Sequence, residues 1–555
     1  MLTRLTGGKL YDPANGVDGE VRDLYVRDGR IVAPPLCGET FAREHDLSGR
    51  VVMAGAIDIH THIGGGKMTL ARMLLPEDHL DHPVPRTRTT RSGSGYIVPS
   101  TFATGYRYAE MGYTACFEPA MPPSNARQAH MEMADTPIVD KGAYVMLGND
   151  DFLLRLMAER AEQAIINDYV AWTLESAQAL AIKVVNPGGI SAFKFNRRAL
   201  DLDEAHPYYP NVTPRAVVEV LTRAVHELGV PHPLHVHGCN LGVPGNVATT
   251  EKTVSAARGL PLHLTHVQFH SYGTEGDRGF SSGAARIAEA LDIHPDLSID
   301  VGQLMFGQTV TASGDTMAQY RNRKSAHPKK WVYMDIECDA GCGILPFRYK
   351  HKGFVNALQW AIGLELFLLV QDPWRVFLTT DHPNGAPFAT YPHLIRLLMD
   401  RGFRNDTFAS IHPEAAALST LGSIDREYSL YEIAVLTRAA PAKSLGLADR
   451  GHLGVGAAAD ITVYKAERNR ERMFERPEYV FKDGEVVARK GKIVKVTTGT
   501  THVVRPEYDR GIDGRLRDYM ARYQTVGIDN FPVGDEEIVG EGRGSLSIVP
   551  TERRA

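Results

Sequence analysis

Two histidines spaced two residues apart stand at the end of a strand-like stretch near the start of the chain. The run Val51–Ile57 is apolar and rich in β-branched residues, which is typical of a buried strand, and His60 and His62 follow it. Because side chains alternate across a strand, both imidazoles would face one point and could bind one metal ion. Imidazole suits zinc and similar divalent metals. The pair alone is also consistent with two histidines that form ordinary hydrogen bonds and bind no metal.

Three further strand-like runs carry a histidine or an acidic residue at their carboxyl ends. His237 closes the second His-x-His pair of the chain, His266 ends another apolar run, and Asp381 follows a third. In a β/α barrel the catalytic groups collect at this end of the strands. One such match is weak evidence, but four strand ends along one chain predict a shared metal centre.

A lysine within an apolar run could supply a bridging anion. Two divalent ions bound by four histidines and one aspartate would need a further negative ligand. Lys183 lies in the apolar run 181–185, and burial readily lowers the pKa of a lysine. A neutral amine can take up carbon dioxide to form a carbamate, which is a bidentate anion. Two alternatives stay open: Lys183 forms a salt bridge with an acid, or Lys194, between two phenylalanines, is the bridging residue.

Composition and charge are those of an ordinary globular protein with room for a large core. The chain has 555 residues, of which 43% are hydrophobic and 23% charged. A net charge of −5 provides no general basic field for nucleic acid. Five sparse cysteines argue against a disulfide framework and for a reducing compartment. We expect a cytoplasmic protein, since the start lacks an apolar signal core and the longest apolar run, 357–370, is too short for a bilayer.

The two ends of the chain differ in pattern from its centre. Short strands with tight turns occupy the start, where Asp28-Gly29 predicts a hairpin, and a similar block returns late in the chain. We expect residues 1–52 and 430–505 to form one small composite β domain. From 53 to 429, strand-like and helix-like runs alternate, which predicts a parallel α/β architecture large enough for a barrel with long insertions. Charges and glycines dominate 506–555, which is expected to be an extended arm that contacts another subunit.

These residues together resemble the metal-site pattern of the amidohydrolase superfamily. The order is the same: a His-x-His pair, a strand lysine, two further strand-end histidines and an aspartate. Gly446–Ile461 is also similar to the C-terminal signature of that superfamily. The resemblance implies an α/β fold, a (β/α)8 TIM-like metal-dependent hydrolase barrel with a small composite β-sandwich formed by the terminal segments. It further implies two zinc ions, with Lys183 carboxylated (N6-carboxylysine) as their bridge, bound by one set of side chains: His60, His62, Lys183, His237, His266 and Asp381.

Longer runs narrow the resemblance to one family within the superfamily. They are Gly64–Lys67, Val98–Phe102, Gly105–Tyr108, Lys183–Pro187, His266–Gly273 and Gln359–Phe367. These runs resemble the A-type subunit of formylmethanofuran dehydrogenase and the α subunit of the bacterial formyltransferase/hydrolase complex, over nearly the whole chain. Four positions differ from the common pattern. Ala54 stands where proline is usual, and His382 stands where a small residue is common. Cys239 and Asn240 follow His237-Gly238, whereas the family has Cys-Asn directly after the histidine.

The family resemblance implies a zinc-dependent reaction on a methanofuran-type coenzyme. Its N-formyl amide would be hydrolysed, or reversibly formed, with release of formate, and Asp381 would carry the proton from the attacking water to the leaving amine. Other subunits of the complex would be partners. The basic clusters Arg86–Arg91 and Arg321–Lys330 fit either solvated loops or contacts with an anionic coenzyme tail or a partner protein. Two alternatives are a cyclic amidohydrolase of the dihydropyrimidinase or hydantoinase type, and a non-catalytic scaffold subunit without stoichiometric zinc.

Overall fold

A parallel barrel forms the centre of the protein. The computed structural model describes residues 1–188, 201–334, 341–540, 542 and 544–554. Lys194, the rival bridging residue, lies outside the described residues. Within them, eight parallel strands pair in chain order and are numbered accordingly: β1 Ala56–Asp58, β2 Tyr113–Met121, β3 Asp140–Leu147, β4 Ala181–Val185, β5 Leu234–His237, β6 Leu262–Leu264, β7 Leu297–Asp300 and β8 Val376–Phe377.

The first and last strands meet just beyond their carboxyl ends. Thr61 and His382 form a parallel bridge, and the backbone N–H of His62 donates to the carbonyl of His382 at 2.8 Å. The predicted TIM-like barrel is confirmed. Its strands are buried on both faces, as expected for parallel strands covered by helices, and this explains why they read as nearly continuous apolar runs.

Helices cover the barrel between its strands. The helix Pro214–Glu227 shows why these segments form: Thr213 accepts a hydrogen bond from the N–H of Ala216 at 3.2 Å, and proline stands in its first turn. The longer helices of the described chain are Gly66–Leu74, Thr101–Glu110, Ala126–Ala134, Asp151–Ala158, Gln163–Ser176, Pro214–Glu227, Val247–Ala256, Ala284–Ile293, Phe354–Leu369, Tyr391–Met399, Arg401–Ser410 and Ile512–Tyr523.

The most apolar segment of the chain is one of these helices. Phe354–Leu369 is buried along nearly its whole length within the barrel's helical layer. In the part of the chain that the structure describes, no helix combines the length and the apolar character that crossing a membrane requires.

The two ends of the chain share one mixed sheet. Within the described residues it has nine strands: Leu2–Asp12, Val17–Arg27, Arg30–Val32, Arg43–Asp46, Arg50–Ala54, Ile461–Lys465, Tyr479–Lys482, Glu485–Arg489 and Lys492–Ile493. Arg50–Ala54 joins the two groups, because it pairs in parallel with Leu2–Asp12 and antiparallel with Ile461–Lys465. The expected hairpin is present at Asp28-Gly29, where both residues have a positive φ. The exact domain bounds stay a prediction.

A small antiparallel sheet interrupts the barrel between β7 and β8. Its strands are Gly307–Ser313, Val332–Met334 and Cys342–Tyr349, and the short helix Thr316–Arg321 lies between the first two. We call the described residues of this segment, 307–334 and 341–349, the insertion. It lies across the carboxyl ends of the barrel strands, because Thr311–Gly314 and Tyr349 line the same pocket as Lys183.

The described part of the last fifty residues packs on the chain's own barrel. Ser545–Val549 pairs in parallel with Thr500–Val504, which meets β3 at Lys141. The helix Ile512–Tyr523 buries Leu516 and Met520. This segment is therefore folded where an extended arm was expected, and its contact with another subunit stays a prediction.

Candidate active site

The first metal-ligand group forms where β1 ends. Nε2 of His60 lies 3.0 Å from Oδ1 of Asp381, and Nε2 of His62 lies 3.3 Å from the same oxygen. All three side chains are buried. Asp381 has a φ of +49°, so the chain turns sharply after β8 at the residue that faces both histidines. Burial alone would raise the pKa of Asp381, but attraction to His266 and His60 holds that pKa well below its ordinary value.

A second group of imidazoles stands beside the first. The ring centroids of His237 and His266 are 4.6 Å apart, and those of His266 and His60 are 5.5 Å apart. His270, which the sequence analysis missed, lies 5.3 Å from His237. Burial lowers the pKa of His266 and His270 well below the ordinary value, so both imidazoles are neutral, as metal ligands must be.

Several buried ring nitrogens of this group have no hydrogen-bond partner among the described residues. They are Nδ1 of His266 and both ring nitrogens of His270. Buried polar atoms are normally satisfied, so unpaired imidazole nitrogens beside a carboxylate fit a metal site. The donor set of imidazoles and a carboxylate suits zinc.

Lys183 lies at the base of the same pocket. It is in β4, its register partner on β5 is His235, and it lines the pocket with His62, His237, His266 and Asp381. Burial lowers the pKa of its amine to about 8. No carboxylate among the described residues is within ion-pair distance of this amine, so the salt-bridge alternative has no partner there. The described geometry thus brings together all six side chains that the resemblance implied.

Glu118 on β2 was missed by the sequence analysis. Its carboxylate accepts from Nδ1 of His62 at 3.0 Å, from Nζ of Lys67 at 2.7 Å and from the backbone N–H of Ile63 at 2.8 Å. Burial would raise the pKa of Glu118, but attraction to Lys67 and His62 holds it well below the ordinary value. A carboxylate on the far nitrogen of a ligating imidazole fixes its tautomer and its ring orientation.

Asp300, at the end of β7, lies beside Nδ1 of His60 just as Glu118 lies beside Nδ1 of His62. Its Oδ2 lies 3.3 Å from Nδ1 of His60 and 3.1 Å from Nε2 of His263, and its Oδ1 accepts from the N–H of His266 at 2.9 Å. Nε2 of His235 is also 2.9 Å from Nδ1 of His60. The extra histidines of β5 and β6 therefore lie inside the barrel, beneath the proposed ligands. An acid inside an apolar strand, as in Glu118, or at the end of one, as in Asp300, was the available sequence signal.

The unusual residues near the ligands have structural partners. His382 closes the barrel through its backbone, and its Nδ1 accepts from the N–H of Phe388 at 3.2 Å. Asn240 adopts a φ of +66°, and its side-chain amide donates to Thr249. Cys239 is buried, and burial raises the pKa of its thiol. A buried, protonated thiol is a packing group and a poor nucleophile.

Comparison with known proteins agrees with this geometry. The model of the Amidohydrolase family matches residues 43–488, which include every proposed ligand. The chain belongs to the amidohydrolase family.

Two relatives match this amidohydrolase over nearly its whole length. The A-type subunit of the formyltransferase/hydrolase complex Fhc from Methylorubrum extorquens is 43% identical over 96% of this chain and 97% of its own. Protein FwdA from Methanocaldococcus jannaschii is 40% identical over 96% of each chain. The predicted membership of this family of subunits is confirmed.

A solved structure is similar to the whole fold. A chain in the X-ray crystal structure of the formyltransferase/hydrolase complex FhcABCD from Methylorubrum extorquens, in complex with methylofuran, superposes with a TM-score of 0.93 at 42% identity. The match covers 100% of both chains, including the composite sheet and the C-terminal segment.

Proposed function

We propose that this amidohydrolase hydrolyses, or reversibly forms, the N-formyl amide of a methanofuran-type coenzyme and releases formate. It would act as one subunit of a formyltransferase/hydrolase or formylmethanofuran dehydrogenase complex. The observation that carries the proposal is the position of Asp381, which lies within 3.3 Å of both His60 and His62 beside the Lys183 pocket. The near-complete match to one component of a complex solved with methylofuran supports the choice of substrate.

The residues present fit a pair of zinc ions. His60, His62, His237, His266 and Asp381 would hold them, with Lys183 as the carboxylated bridge. Such a pair, when bound, supplies a water of low pKa and an electrophile for the formyl oxygen.

The chain's own residues would position the substrate and move the proton. Asp381 is ionised and would take a proton from the attacking water, and the same carboxyl would then give it to the nitrogen of the leaving amine. Water adds to the formyl carbon, the C–N bond breaks, and the products are formate and the free amine. Glu118 and Asp300 keep the His-x-His pair in one orientation during this step.

The rest of the pocket suits an aromatic, partly apolar substrate. Its apolar lining includes Met121, Met146, Leu241, Phe269 and Met334. A furan ring could pack against these side chains while its aminomethyl arm reaches Asp381. The insertion covers one side of the pocket and limits the access of bulk water to the reacting group.

The test is formate release from N-formylmethanofuran by the assembled complex, together with its zinc content. We expect stoichiometric zinc, formate release by the wild-type complex, and at least a 100-fold loss of rate in Asp381→Ala with an unchanged circular dichroism spectrum. Wild-type turnover by this variant would refute the role of Asp381.

The same assay separates the alternatives. A cyclic amidohydrolase would open dihydrouracil or hydantoin and leave N-formylmethanofuran intact. A scaffold subunit would bind no stoichiometric zinc and release no formate.

A further inference from the structure

The insertion places a carboxylate against one of the proposed metal ligands. Asp315 follows the strand Gly307–Ser313 and precedes the helix Thr316–Arg321, and it is only 4% exposed. Its Oδ2 lies 3.3 Å from Nε2 of His237, an ion-pair distance without the alignment of a directed hydrogen bond. Neither strand pattern nor spacing in the sequence pointed to this residue.

Asp315 is held in place from two sides. Its Oδ1 accepts from Nδ2 of Asn186 at 3.1 Å, just after β4. Its own backbone N–H donates to Oγ of Ser313 at 3.0 Å, which fixes the turn that carries it. No lysine or arginine among the described residues forms an ion pair with it. Oδ2 accepts from Oγ of Ser313 at 3.3 Å, and the imidazole of His237 is the further N–H group that faces the same oxygen.

A carboxylate thus lies beside one ring nitrogen of each of three proposed ligands: Nδ1 of His62, Nδ1 of His60 and Nε2 of His237. Glu118 lies at the far nitrogen of His62, and Asp300 lies at the far nitrogen of His60. In His62 and in His60, the other ring nitrogen, Nε2, is the one that faces Asp381. With Asp315 at Nε2 of His237, Nδ1 is the nitrogen left for a metal ion.

We propose that Asp315 is the positioning residue of His237, so that the insertion completes the metal centre from outside the barrel. Glu118 and Asp300 come from barrel strands, whereas Asp315 comes from a segment added between β7 and β8. The inference rests on the proposed function, because it assigns the partner of a ligand in that same site. The insertion would then have two roles: it forms a wall of the pocket, and through Asp315 it orients a metal ligand.

The test is the affinity for zinc of the metal-free full chain, measured by competition with a chromophoric chelator. Asp315→Ala should bind one zinc equivalent about 10- to 100-fold more weakly and leave the other nearly unchanged, as expected when the partner of a ligating histidine is removed. Asp315→Asn should lose less, because its amide oxygen can still lie beside Nε2 of His237. The side-chain amide of Asn186 can rotate so that its Oδ1, which has no partner among the described residues, accepts from the new amide at position 315.

The matched control is Gln319→Ala. Gln319 binds Thr311 and Trp331 within the insertion and does not contact His237, so its loss loosens the insertion without touching the centre. We expect this variant to keep wild-type zinc affinity. Equal weakening in both variants, or no weakening in Asp315→Ala, would overturn the role of Asp315.

A second readout keeps the result interpretable if Asp315→Ala folds poorly. The visible absorption of the cobalt-substituted protein reports the geometry of the ligands, and Asp315→Asn should shift it while Gln319→Ala does not. An unshifted spectrum in Asp315→Asn contradicts the proposal. Failure of the proposed function would be recognised separately, by a wild-type complex that lacks zinc or releases no formate.

Discussion

Nδ2 of Asn384 lies 3.0 Å from Oδ1 and 3.1 Å from Oδ2 of Asp381, so one amide group donates to both oxygens of the proposed proton carrier. The other end of Asn384 binds the insertion: its Oδ1 accepts from the N–H of Ala312 at 2.7 Å, and its carbonyl accepts from the hydroxyl of Tyr349 at 2.9 Å. Asn384 therefore joins the wall of the pocket to its central carboxylate.

Replacing Asn384 should change the acid limb of the pH–rate profile. In Asn384→Asp a second negative charge would stand beside Asp381 and raise its pKa. Since activity requires an ionised Asp381, the acid limb should move to higher pH. Asn384→Ala removes the donor without adding charge, and we expect a fall in kcat of about tenfold or more with a smaller shift of the limb. The measurement is formate release as a function of pH.

Asn211→Ala is the matched control for this pair. Asn211 is exposed and donates only to a backbone carbonyl far from the pocket. Its profile should coincide with the wild type. A wild-type profile in Asn384→Asp would show that Asn384 does not act on Asp381.

Lys183 should control metal loading in a pH-dependent manner. Burial lowers the pKa of its amine to about 8, and only the neutral amine takes up carbon dioxide. The pKa of the lysine is lowered, so the neutral fraction is small well below pH 8 and rises as the pH passes through that value. At one fixed concentration of dissolved carbon dioxide, zinc uptake by the metal-free protein should therefore be accelerated more strongly at about pH 8.5 than at about pH 6.5.

Variants of Lys183 test whether this residue acts as a carbamate or only as a positively charged side chain. Lys183→Ala should lose at least one zinc ion, and Lys183→Arg should lose it too, because a guanidinium keeps the charge and does not form the bridge. Native mass spectrometry should find the mass of one added carbon dioxide only in the wild type. Full zinc content in Lys183→Ala would mean that Lys194 or another group provides the bridge.

Those parts of the site that depend on local pattern could be predicted from the sequence. The period of a strand places His60 and His62 on one side, and the apolar runs before His237, His266 and Asp381 identify strand ends. The barrel follows from the same alternation. These features need no knowledge of which distant segments meet.

The residues that orient the ligands could not be predicted in this way. Glu118 binds a histidine 56 residues away, and Asp315 reaches His237 from an irregular turn in the insertion. Only the closed barrel brings these groups together. Likewise Ser545–Val549 has a weak strand pattern, and it forms a strand because Thr500–Val504 offers it a paired edge.

A buried ion-pair cluster joins the composite sheet to the bottom of the barrel. Asp140, at the start of β3, lies 3.1 Å from Nζ of Lys482 and 2.7 Å from Nε of Arg450. Burial would raise the pKa of Asp140, but attraction to Lys482 holds it well below the ordinary value, while its neighbouring carboxylates raise the pKa of Lys482. Asp140→Asn leaves buried cations with too few partners, so it should destabilise the fold by about 3–5 kcal/mol without changing the pocket.

The stability difference between the wild type and Asp140→Asn should depend on pH. The pKa of Asp140 is depressed in the fold, so its contribution is present above the unfolded value of about 3.9 and is lost as the pH falls below it. The gap in melting temperature should therefore be largest near neutral pH and should shrink below about pH 4. Asp529→Asn is the control, since Asp529 pairs with Arg517 at the exposed surface and should shift the melting temperature little. A gap that stays constant from neutral to acid pH would mean that Asp140 does not stabilise the fold through its charge.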